Sequence, residues 1–351
     1  MKRDPGLGAG DPQASLRAIV AGVDLHAAES EALFTRIMDG HVGSSMIGAL
    51  LAALAAKGET STEIAGAARV MRARVTRVPT IREPLVDTCG TGGDHSGSIN
   101  VSTGAALVVA AAGVAVAKHG NRAASSRCGS ADVLEALGVA IDLDPASVGR
   151  SIDELGIGFL YAPRFHPAMR HAAEARREIG IRTIFNLLGP LTNPAGARRQ
   201  LIGVPAAGAV GRIAGVLREL GAEAAVVVHG MEGLDEISVC GPTRIAYVHG
   251  GELEESVIEP ADLGLRTFES REIAGGDAKE NAAILREVLE GRGSEAQRAV
   301  VAANAGAGIW IGGGEPSLRA GVDRARETIG SGQAAELLDR LVDLTARLAG
   351  G

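Results

Sequence analysis

Aromatic residues and cysteines are both scarce in this chain. Phe, Trp and Tyr make up 2% of the 351 residues, so the core must be built from Ala, Val, Leu and Ile, with the 49 glycines at turns and close packings. The cysteines, Cys89, Cys128 and Cys240, are too few and too scattered for a disulfide framework or a zinc cluster. We therefore expect reduced, buried thiols.

Long apolar runs and runs of one charge are also missing. The longest apolar segment, 105–117, is interrupted by Gly113 and is too short to cross a membrane. The N-terminal MKRDPGLGAGDPQ has no apolar stretch behind its charges, unlike a secretory signal. The 35 basic and 42 acidic residues give a net charge of −7, which argues against nucleic acid as a partner. We expect a cytoplasmic protein with small-molecule substrates and neither nucleic-acid nor membrane partners.

The hydrophobic pattern changes period near Pro84. Before it the pattern is helical: one helix ends at Gly58, and Thr60 and Glu63 have capping-box spacing ahead of the next. After it, the short runs LVDT, VAVA, GARRQLIGVP and AAVVVHG alternate with Ala-rich helical stretches, which is typical of a parallel sheet with crossover helices. A hairpin is predicted at Gly250-Gly251. The fold class is α/β, with a small all-helical domain and a large domain around a mostly parallel central sheet.

The densest polar sequence is 87–130. Gly90, Gly92 and Gly93 can adopt positive φ and expose backbone N–H groups, which is how a loop wraps an anion. NVST at 100–103 stands where a helix would begin, and a helix N-terminus favours phosphate, although Ser102 or Thr103 could simply cap the helix. Neither a P-loop nor a dinucleotide fingerprint occurs. The pattern predicts a site for a large phosphorylated ligand.

Charged residues farther along suit the same ligand. Lys118 and His119 follow a buried strand, where ligands of α/β sheets bind, and Lys118 offers a mobile charge for phosphate. Asp235-Glu236 follows another buried strand near Gly233, so a turn could direct both carboxylates to one metal, although most acidic pairs face solvent.

These motifs closely resemble those of the anthranilate phosphoribosyltransferases, and the likeness covers nearly the whole chain. It is carried by GTGGD (90–94), NVST (100–103), KHGNRAASS (118–126), GSADVLEALG (129–138), FHPAMRHAAEARREIGIRTIFNLLGPLTNPA (165–195) and GLDE (233–236). His95, Ser96 and Ser98-Ile99 depart from the common family pattern, but Ser98 keeps the hydroxyl. The resemblance implies transfer of the phosphoribosyl group of 5-phosphoribosyl-1-pyrophosphate (PRPP) to the amine of anthranilate, with release of pyrophosphate.

The resemblance also implies where the domains and subunits meet. Residues 1–12 would form a flexible tail and 13–84 the helical domain, which 165–197 would join in space. The α/β domain would span 85–164 and 198–351. The family is generally dimeric through its helical part, so a homodimer is expected.

Site residues are carried over position by position from the family's motifs. PRPP would bind at Gly90, Gly93, Asp94, Ser98, Asn100, Val101, Ser102, Thr103, Lys118, His119, Gly120, Asn121, Arg122, Ala123, Ala124, Ser125, Ser126 and Ser130. Anthranilate would bind at Gly90, Asn121 and Arg176. Mg²⁺, two ions per subunit, would be held by Ser102, Asp235 and Glu236. No acid or base is assigned, because an aromatic amine is largely neutral at pH 7 and can attack before it loses a proton; His119 is therefore discounted as a general base.

Arg176 is chosen for its chemistry as well as by resemblance, because a carboxylate needs a cationic fork. On sequence alone, Arg176 or its neighbour Arg177 could equally be a surface residue paired with Glu174 or Glu178.

Three alternatives stay open. A pyrimidine nucleoside phosphorylase shares the architecture but needs no Mg²⁺-pyrophosphate site, so Asp235-Glu236 and the intact NVST favour the transferase. A non-catalytic, nucleic-acid-binding relative should be basic and altered at the PRPP residues. Transfer to a different aromatic acid is harder to separate, because few residues define the acceptor pocket.

Overall fold

The protein is described by a computed structural model over residues 10–94, 96–123 and 127–350. The helices are α1 (Pro12–Val20), α2 (Ala27–Met38), α3 (Ser44–Lys57), α4 (Ser61–Arg74), α5 (Val101–Ala111), α6 (Ser130–Ala136), α7 (Pro145–Leu155), α8 (Ala162–Phe165), α9 (Arg170–Ile179), α10 (Ile184–Leu188), α11 (Val210–Glu219), α12 (Ala278–Leu289), α13 (Glu295–Ile311), α14 (Leu318–Gly330) and α15 (Gln333–Ala349). The strands are β1 (Val86–Gly90), β2 (Val116–Gly120), β3 (Ile157–Tyr161), β4 (Arg199–Gly203), β5 (Ala224–Gly230), β6 (Thr243–His249) and β7 (Glu252–Ile258).

The first four helices form a helical N-terminal domain whose ends follow from local sequence. Asp11 caps α1 through the N–H of Ala14, so residues 10–12 of the predicted tail adjoin or begin a helix, whereas 1–9 lie outside the described residues. The predicted capping box of Thr60 and Glu63 is confirmed at the start of α4. The α3 helix ends at Gly58, whose φ of 87° suits glycine.

A buried glutamate ties this domain together. Glu63 is 0% exposed, and its carboxylate accepts hydrogen bonds from the N–H groups of Leu25 and Thr60, each at 2.9 Å. The ammonium of Lys57 lies 3.0 Å from the same carboxylate and also contacts Asp24 at 2.6 Å. The negative charge of Glu63 is thus compensated within the helical domain.

The large domain is built on one seven-stranded sheet with the order β3-β2-β1-β4-β5-β6-β7. The first five strands pair in parallel, while β6 and β7 are added antiparallel on the β5 side, so the prediction of a mostly parallel α/β sheet is confirmed. The predicted hairpin is also confirmed, since Gly250 and Gly251 join β6 to β7 with φ of 59° and 86°. Every residue of β5 is buried, as a strand covered on both faces requires.

Helices cover both faces of the sheet. One face packs with α5, α12 and α13 in a core that includes Val108, Val226, Leu285 and Val301. The other face packs with α11, and its core continues into the helical domain through Ile64, Leu33 and Ile184. In that region α9 contacts α2 and α3, while α10 contacts α4. Among the described helices, none has the length and apolar character required to cross a bilayer.

Candidate active site

The order in which successive strands are added to the sheet reverses between the neighbouring parallel strands β1 and β4. From β1 it proceeds to β2 and β3 on one side, and from β4 to β5 on the other. The last residues of the two strands, Gly90 and Gly203, are register partners. Ligands of open α/β sheets bind in the crevice at such a switch point, beyond the carboxyl ends of the strands.

Asp235 lies directly on the two glycines that end β1 and β4. A Cβ atom on Gly203 would stand 1.5 Å from the Asp235 carbonyl oxygen, and one on Gly90 would stand 2.7 Å from Asp235 Oδ2. A side chain at position 203 would require the loop to move, and one at position 90 would displace the Asp235 carboxylate. Glycine therefore lets the loop after β5 bring its carboxylates over the switch point.

Three carboxylates meet at this place with little cationic compensation. The N–H of Asp235 donates to Asp94 Oδ2 at 3.5 Å, and Glu236 Oε1 accepts from the N–H of Ser102 at 3.1 Å. Burial raises the pKa of Asp235 to about 7, and the charge of Asp94 adds to the shift. Burial and then Asp235 raise the pKa of Glu236 well above its usual range, against the opposing effect of Lys118. The cluster would be stabilised by added positive charge.

The donor set suits a hard cation that the substrate helps to bind. Within residues 10–94, 96–123 and 127–350, no group of three or more His, Cys, Asp or Glu side chains is arranged to hold a metal by itself. Mg²⁺ does not require such a set, because it is commonly held by one or two carboxylates, substrate phosphates and water. The oxygens of Asp235, Glu236 and Ser102 fit that chemistry.

The glycine loop and the start of α5 form the next wall of the crevice. Gly92 and Gly93 have φ of 66° and 82°, in the left-handed region that the loop was expected to need. Asn100 stands at the N-cap of α5; its Nδ2 donates to the Cys128 carbonyl at 3.2 Å, and its Oδ1 accepts from Asn281 at 2.8 Å.

The remaining NVST residues and Ser98 differ in exposure. Val101 and Thr103 are each 1% exposed, and the Thr103 hydroxyl has no hydrogen-bond partner in the described part of the chain. Ser98 is partly exposed and bonds to Ser96 through the two hydroxyls at 3.1 Å.

Lys118 and His119 lie inside β2 and do not follow it, which corrects the predicted strand end. The register with β3 continues through Gly120 paired with Tyr161, so the strand extends beyond VAVA. Lys118 is 3% exposed, and its ammonium donates to the Thr88 carbonyl at 2.6 Å and lies 3.5 Å from Ser102 Oγ. Lys118 is therefore not the mobile charge that was expected: it is a buried cation held beneath the start of α5.

His119 forms a buried pair with His166. Nδ1 of His119 lies 3.0 Å from the Gly189 carbonyl and must be the protonated nitrogen, because a carbonyl only accepts. Its Nε2 then accepts from Nε2–H of His166 at 3.1 Å. Burial lowers the pKa values of His119 and His166 to about 3 and about 4, so both rings are neutral near pH 7.

The loop after β2 is fastened to α6 by ion pairs. Arg122 contacts Glu135 at 2.8 Å and Asp132 at 3.1 Å, and the N–H of Ala123 donates to Asp132 at 2.9 Å. Asn121 accepts from the N–H of Arg122 through its side-chain oxygen at 2.8 Å.

The close approach of α6 to β2 restricts the residue that ends the strand. A Cβ on Gly120 would meet Ser130 Oγ at 2.2 Å. The predicted residues Ala124, Ser125 and Ser126 lie outside the described residues.

Arg176 is a half-buried cation on α9. Its guanidinium lies 5.4 Å from the centroid of the Phe185 ring, and burial lowers its pKa. Among the described residues it forms no ion pair with a carboxylate, whereas its neighbour Arg177 is exposed. An unpaired guanidinium over an aromatic ring suits a ligand that brings its own carboxylate and ring.

Comparison with known proteins identifies the family to which this chain belongs. The chain matches the "Glycosyl transferase family, helical bundle domain" over 13–75 and the "Glycosyl transferase family, a/b domain" over 82–335. It is 54% identical over 336 residues to the anthranilate phosphoribosyltransferase of Rubrobacter xylanophilus, covering 96% of this chain and 98% of that protein. The chain belongs to the anthranilate phosphoribosyltransferase family.

Solved structures of anthranilate phosphoribosyltransferases share its architecture. The Thermus thermophilus enzyme is 46% identical with a TM-score of 0.89, over 95% of this chain and 99% of that chain. The Saccharomyces cerevisiae enzyme in complex with PRPP and Mg is 27% identical with a TM-score of 0.80, over 98% of this chain and 94% of that chain. These likenesses favour the transferase over the phosphorylase and nucleic-acid-binding alternatives.

Some residues beneath the anthranilate phosphoribosyltransferase site were not found by sequence reasoning. Asp87, at 0% exposure, accepts from the N–H of His119 at 3.1 Å and from Asn193 Nδ2 at 2.8 Å. Burial raises the pKa of Asp87 to about 6. Asn193 also donates to the Ala117 carbonyl at 2.8 Å, which links the 165–195 motif to the sheet. The polar residues of DTCG and LTNP within apolar sequence are the signal that could have identified them.

A separate cavity of about 620 Å³ contains none of the predicted residues. It is lined in part by Arg266, Phe268 and Arg298, and its rim includes the exposed pair Arg266–Glu295 at 2.9 Å. The carboxylates and glycines converge instead at the switch point, so we assign the candidate site there.

Proposed function

We propose that this protein transfers the phosphoribosyl group of PRPP to the amine of anthranilate, giving N-(5-phosphoribosyl)anthranilate and pyrophosphate in tryptophan biosynthesis. The observation that carries the proposal is the undercompensated set of Asp94, Asp235 and Glu236 over the switch point, in which Glu236 is buried and the two aspartates are partly buried. Such a set suits a site that handles a metal-bound pyrophosphate, and the family supplies the reaction.

Asp235, Glu236 and Ser102 would hold Mg²⁺, with two ions per subunit. When bound, the metal supplies positive charge against which pyrophosphate can leave. Lys118 would contribute a fixed protein cation beneath the start of α5, with its ammonium 3.5 Å from Ser102 Oγ. The absence of side chains at Gly90 and Gly203 leaves room for the loop that carries Asp235 and Glu236.

The phosphate and ribose groups would be held mainly by loops at the ends of β1 and β2. The N–H groups of the 90–93 loop, with Asp94, would face pyrophosphate and ribose. Ser98 and the start of α5 (Asn100, Val101, Ser102 and Thr103), the end of β2 (Lys118, His119 and Gly120) and the loop that follows (Asn121 to Ser126, with Ser130) would complete the PRPP site. Positioning and charge stabilisation are the protein's contribution, because bond cleavage develops charge on both fragments.

Anthranilate would place its carboxylate at Arg176 and its ring near Asn121 and Gly90. The amine attacks C1 of the ribose as a neutral nucleophile, so no protein base has to remove a proton first. The neutral His119–His166 pair is consistent with that scheme, since its pKa values near 3 and 4 make both rings poor bases at pH 7.

The test is the loss of anthranilate fluorescence in the presence of purified protein, PRPP and Mg²⁺. We expect loss in the complete mixture and none when any one component is omitted. If PRPP binds but anthranilate is not consumed, other aromatic acids should be tried as acceptors. If PRPP does not bind at all, the proposal fails.

The domain division and assembly complete the proposal. The helical domain would comprise 13–84 with 165–197, and the α/β domain 85–164 with 198–351. The protein would be a cytoplasmic homodimer. Dimerisation through the helical domain is supported by exposed apolar residues around the end of α1, Val20 at 73% and Val23 at 38%. Light scattering of the purified chain should give twice the monomer mass of 35.7 kDa; a monomer at all concentrations would contradict it.

A further inference from the structure

Arg182, which follows α9 and its Arg176 in the chain, hydrogen-bonds to the backbone of the 91–93 loop. Its Nη1 donates to the Gly92 carbonyl at 2.7 Å and its Nη2 to the Thr91 carbonyl at 3.4 Å. Among the described residues Arg182 forms no ion pair with a carboxylate. Both terminal nitrogens of the guanidinium thus donate hydrogen bonds to backbone carbonyls of the loop.

The loop approaches this guanidinium closely at Gly93. A Cβ on Gly93 would lie 1.8 Å from Arg182 Nη1, and the φ of Gly93 is 82°. Glycine is therefore favoured at position 93 for its backbone conformation, and a side chain there would displace the Arg182 guanidinium.

Holding two carbonyls also orients two N–H groups. In a trans peptide the C=O and the following N–H point in opposite directions. With the carbonyls of Thr91 and Gly92 turned to Arg182, the N–H groups of Gly92 and Gly93 are directed to the other side of the loop. The backbone of Gly92 acts to lower the pKa of Asp235, which lies over the switch point, as expected if the Gly92 N–H is directed toward that carboxylate. Arg182 thus fixes which face of the loop presents donors.

The backbone of Arg182 is itself held between two elements that touch. Gly180 ends α9 with φ of 61°, and the N–H of Thr183 donates to Asn186 at 2.9 Å as α10 begins. Arg176 of α9 lies over Phe185 of α10. Arg182, which contacts the 91–93 loop, and Arg176, which is assigned to anthranilate, therefore belong to one segment whose two helices contact each other.

We propose that Arg182 is a positioning residue that orients the 91–93 loop for PRPP and joins it to the segment that carries Arg176. The inference rests on the proposed function, because it takes the loop to be the pyrophosphate and ribose site. No direct contact between Arg182 and a substrate is required.

The test compares three variants for PRPP binding by calorimetry with Mg²⁺ present and for steady-state kinetics. Arg182→Ala should weaken PRPP binding and lower kcat/KM for PRPP by about tenfold or more, because misplaced binding groups lose much of their effect. Its KM for anthranilate should change less, and its Tm should stay near that of the parent. Arg182→Lys, which keeps one donor group, should recover part of the loss.

Arg177→Ala is the matched control, since it removes the same charge from an exposed position on α9. It should bind PRPP like the parent. The inference is overturned if Arg182→Ala and Arg182→Lys bind PRPP like the parent, or if Arg177→Ala loses as much as Arg182→Ala. A parent protein that binds PRPP without consuming anthranilate would contradict the proposed function alone, because the binding comparison still tests Arg182.

Discussion

Glu63 and Glu236 are both buried glutamates, yet their surroundings differ completely. Glu63 receives two backbone N–H groups and the ammonium of Lys57 within the helical domain. Glu236 receives one N–H from Ser102 and lies beside Asp235 and Asp94. A buried charge with its own counter-charge supports the fold, whereas a buried charge beside like charges marks a place that a ligand completes.

Neutralising the acidic pair at the switch point should have the largest effect. Asp235→Asn combined with Glu236→Gln should reduce turnover by about 100-fold or more, because charge stabilisation at the leaving group is lost. The Tm measured without Mg²⁺ should not fall, since buried like charges are removed. Glu252→Gln with Glu254→Gln, on exposed β7, is the control that loses the same charge. Unchanged Mg²⁺ dependence in the Asp235 and Glu236 double variant would remove the metal assignment.

Glu63→Gln should show the opposite behaviour. It leaves Lys57 without its buried partner and should lower the free energy of unfolding by about 3 kcal/mol, while turnover per folded molecule is retained. Urea denaturation provides the measurement. Glu31→Gln, which breaks the half-exposed pair with Arg69, should cost less than about 1 kcal/mol. Equal effects of the two substitutions would show that the burial of Glu63 has no energetic role.

Arg176→Ala tests an unpaired charge of the other sign. Loss of the guanidinium should raise KM for anthranilate by about tenfold, roughly the contribution of one charged hydrogen bond, and should change KM for PRPP less. Steady-state kinetics with each substrate varied in turn, and Arg177→Ala as control, decide the matter. The reverse pattern would assign Arg176 to PRPP.

The histidine pair extends the comparison to groups that are buried without charge. An unfolded chain takes up protons below pH about 6.5, whereas the folded His119 and His166 do so only near pH 3 and 4. Stability is therefore greatest above pH about 6.5 and falls as the pH drops toward 4. His166→Asn should reduce the difference in unfolding free energy between pH 7 and pH 5 by about 1 to 2 kcal/mol. The same substitution at exposed His41 is the control, and an equal reduction there would refute the explanation.

The sequence predicted features that depend on neighbours along the chain. The Thr60–Glu63 cap, the Gly250-Gly251 hairpin and the positive φ of Gly92 and Gly93 are all local, and all are present. The turn that follows β5 likewise allows Asp235 and Glu236 to approach the switch point together.

Features that depend on distant partners were not predicted. The extension of β2 through Lys118 and His119 follows from pairing with β3, whose sequence IGFLY has a single β-branched residue and gave little signal. The Asp87–Asn193 bond joins residues 106 positions apart, and Arg182 reaches the Gly92 carbonyl across 90 positions. Such contacts are created by the packing of helices on the sheet, which periodicity does not encode.

The hairpin that closes the sheet also bears on how the protein behaves at high concentration. In the described sheet β7 is the last strand, so one row of its backbone groups faces no other strand. Its sequence ELEESVI places Glu252, Glu254 and Glu255 along that edge. Acidic side chains repel a second edge of the same kind, which protects the chain from edge-to-edge aggregation. Acid or high salt, which weakens that repulsion, would be a poor choice for storing this protein.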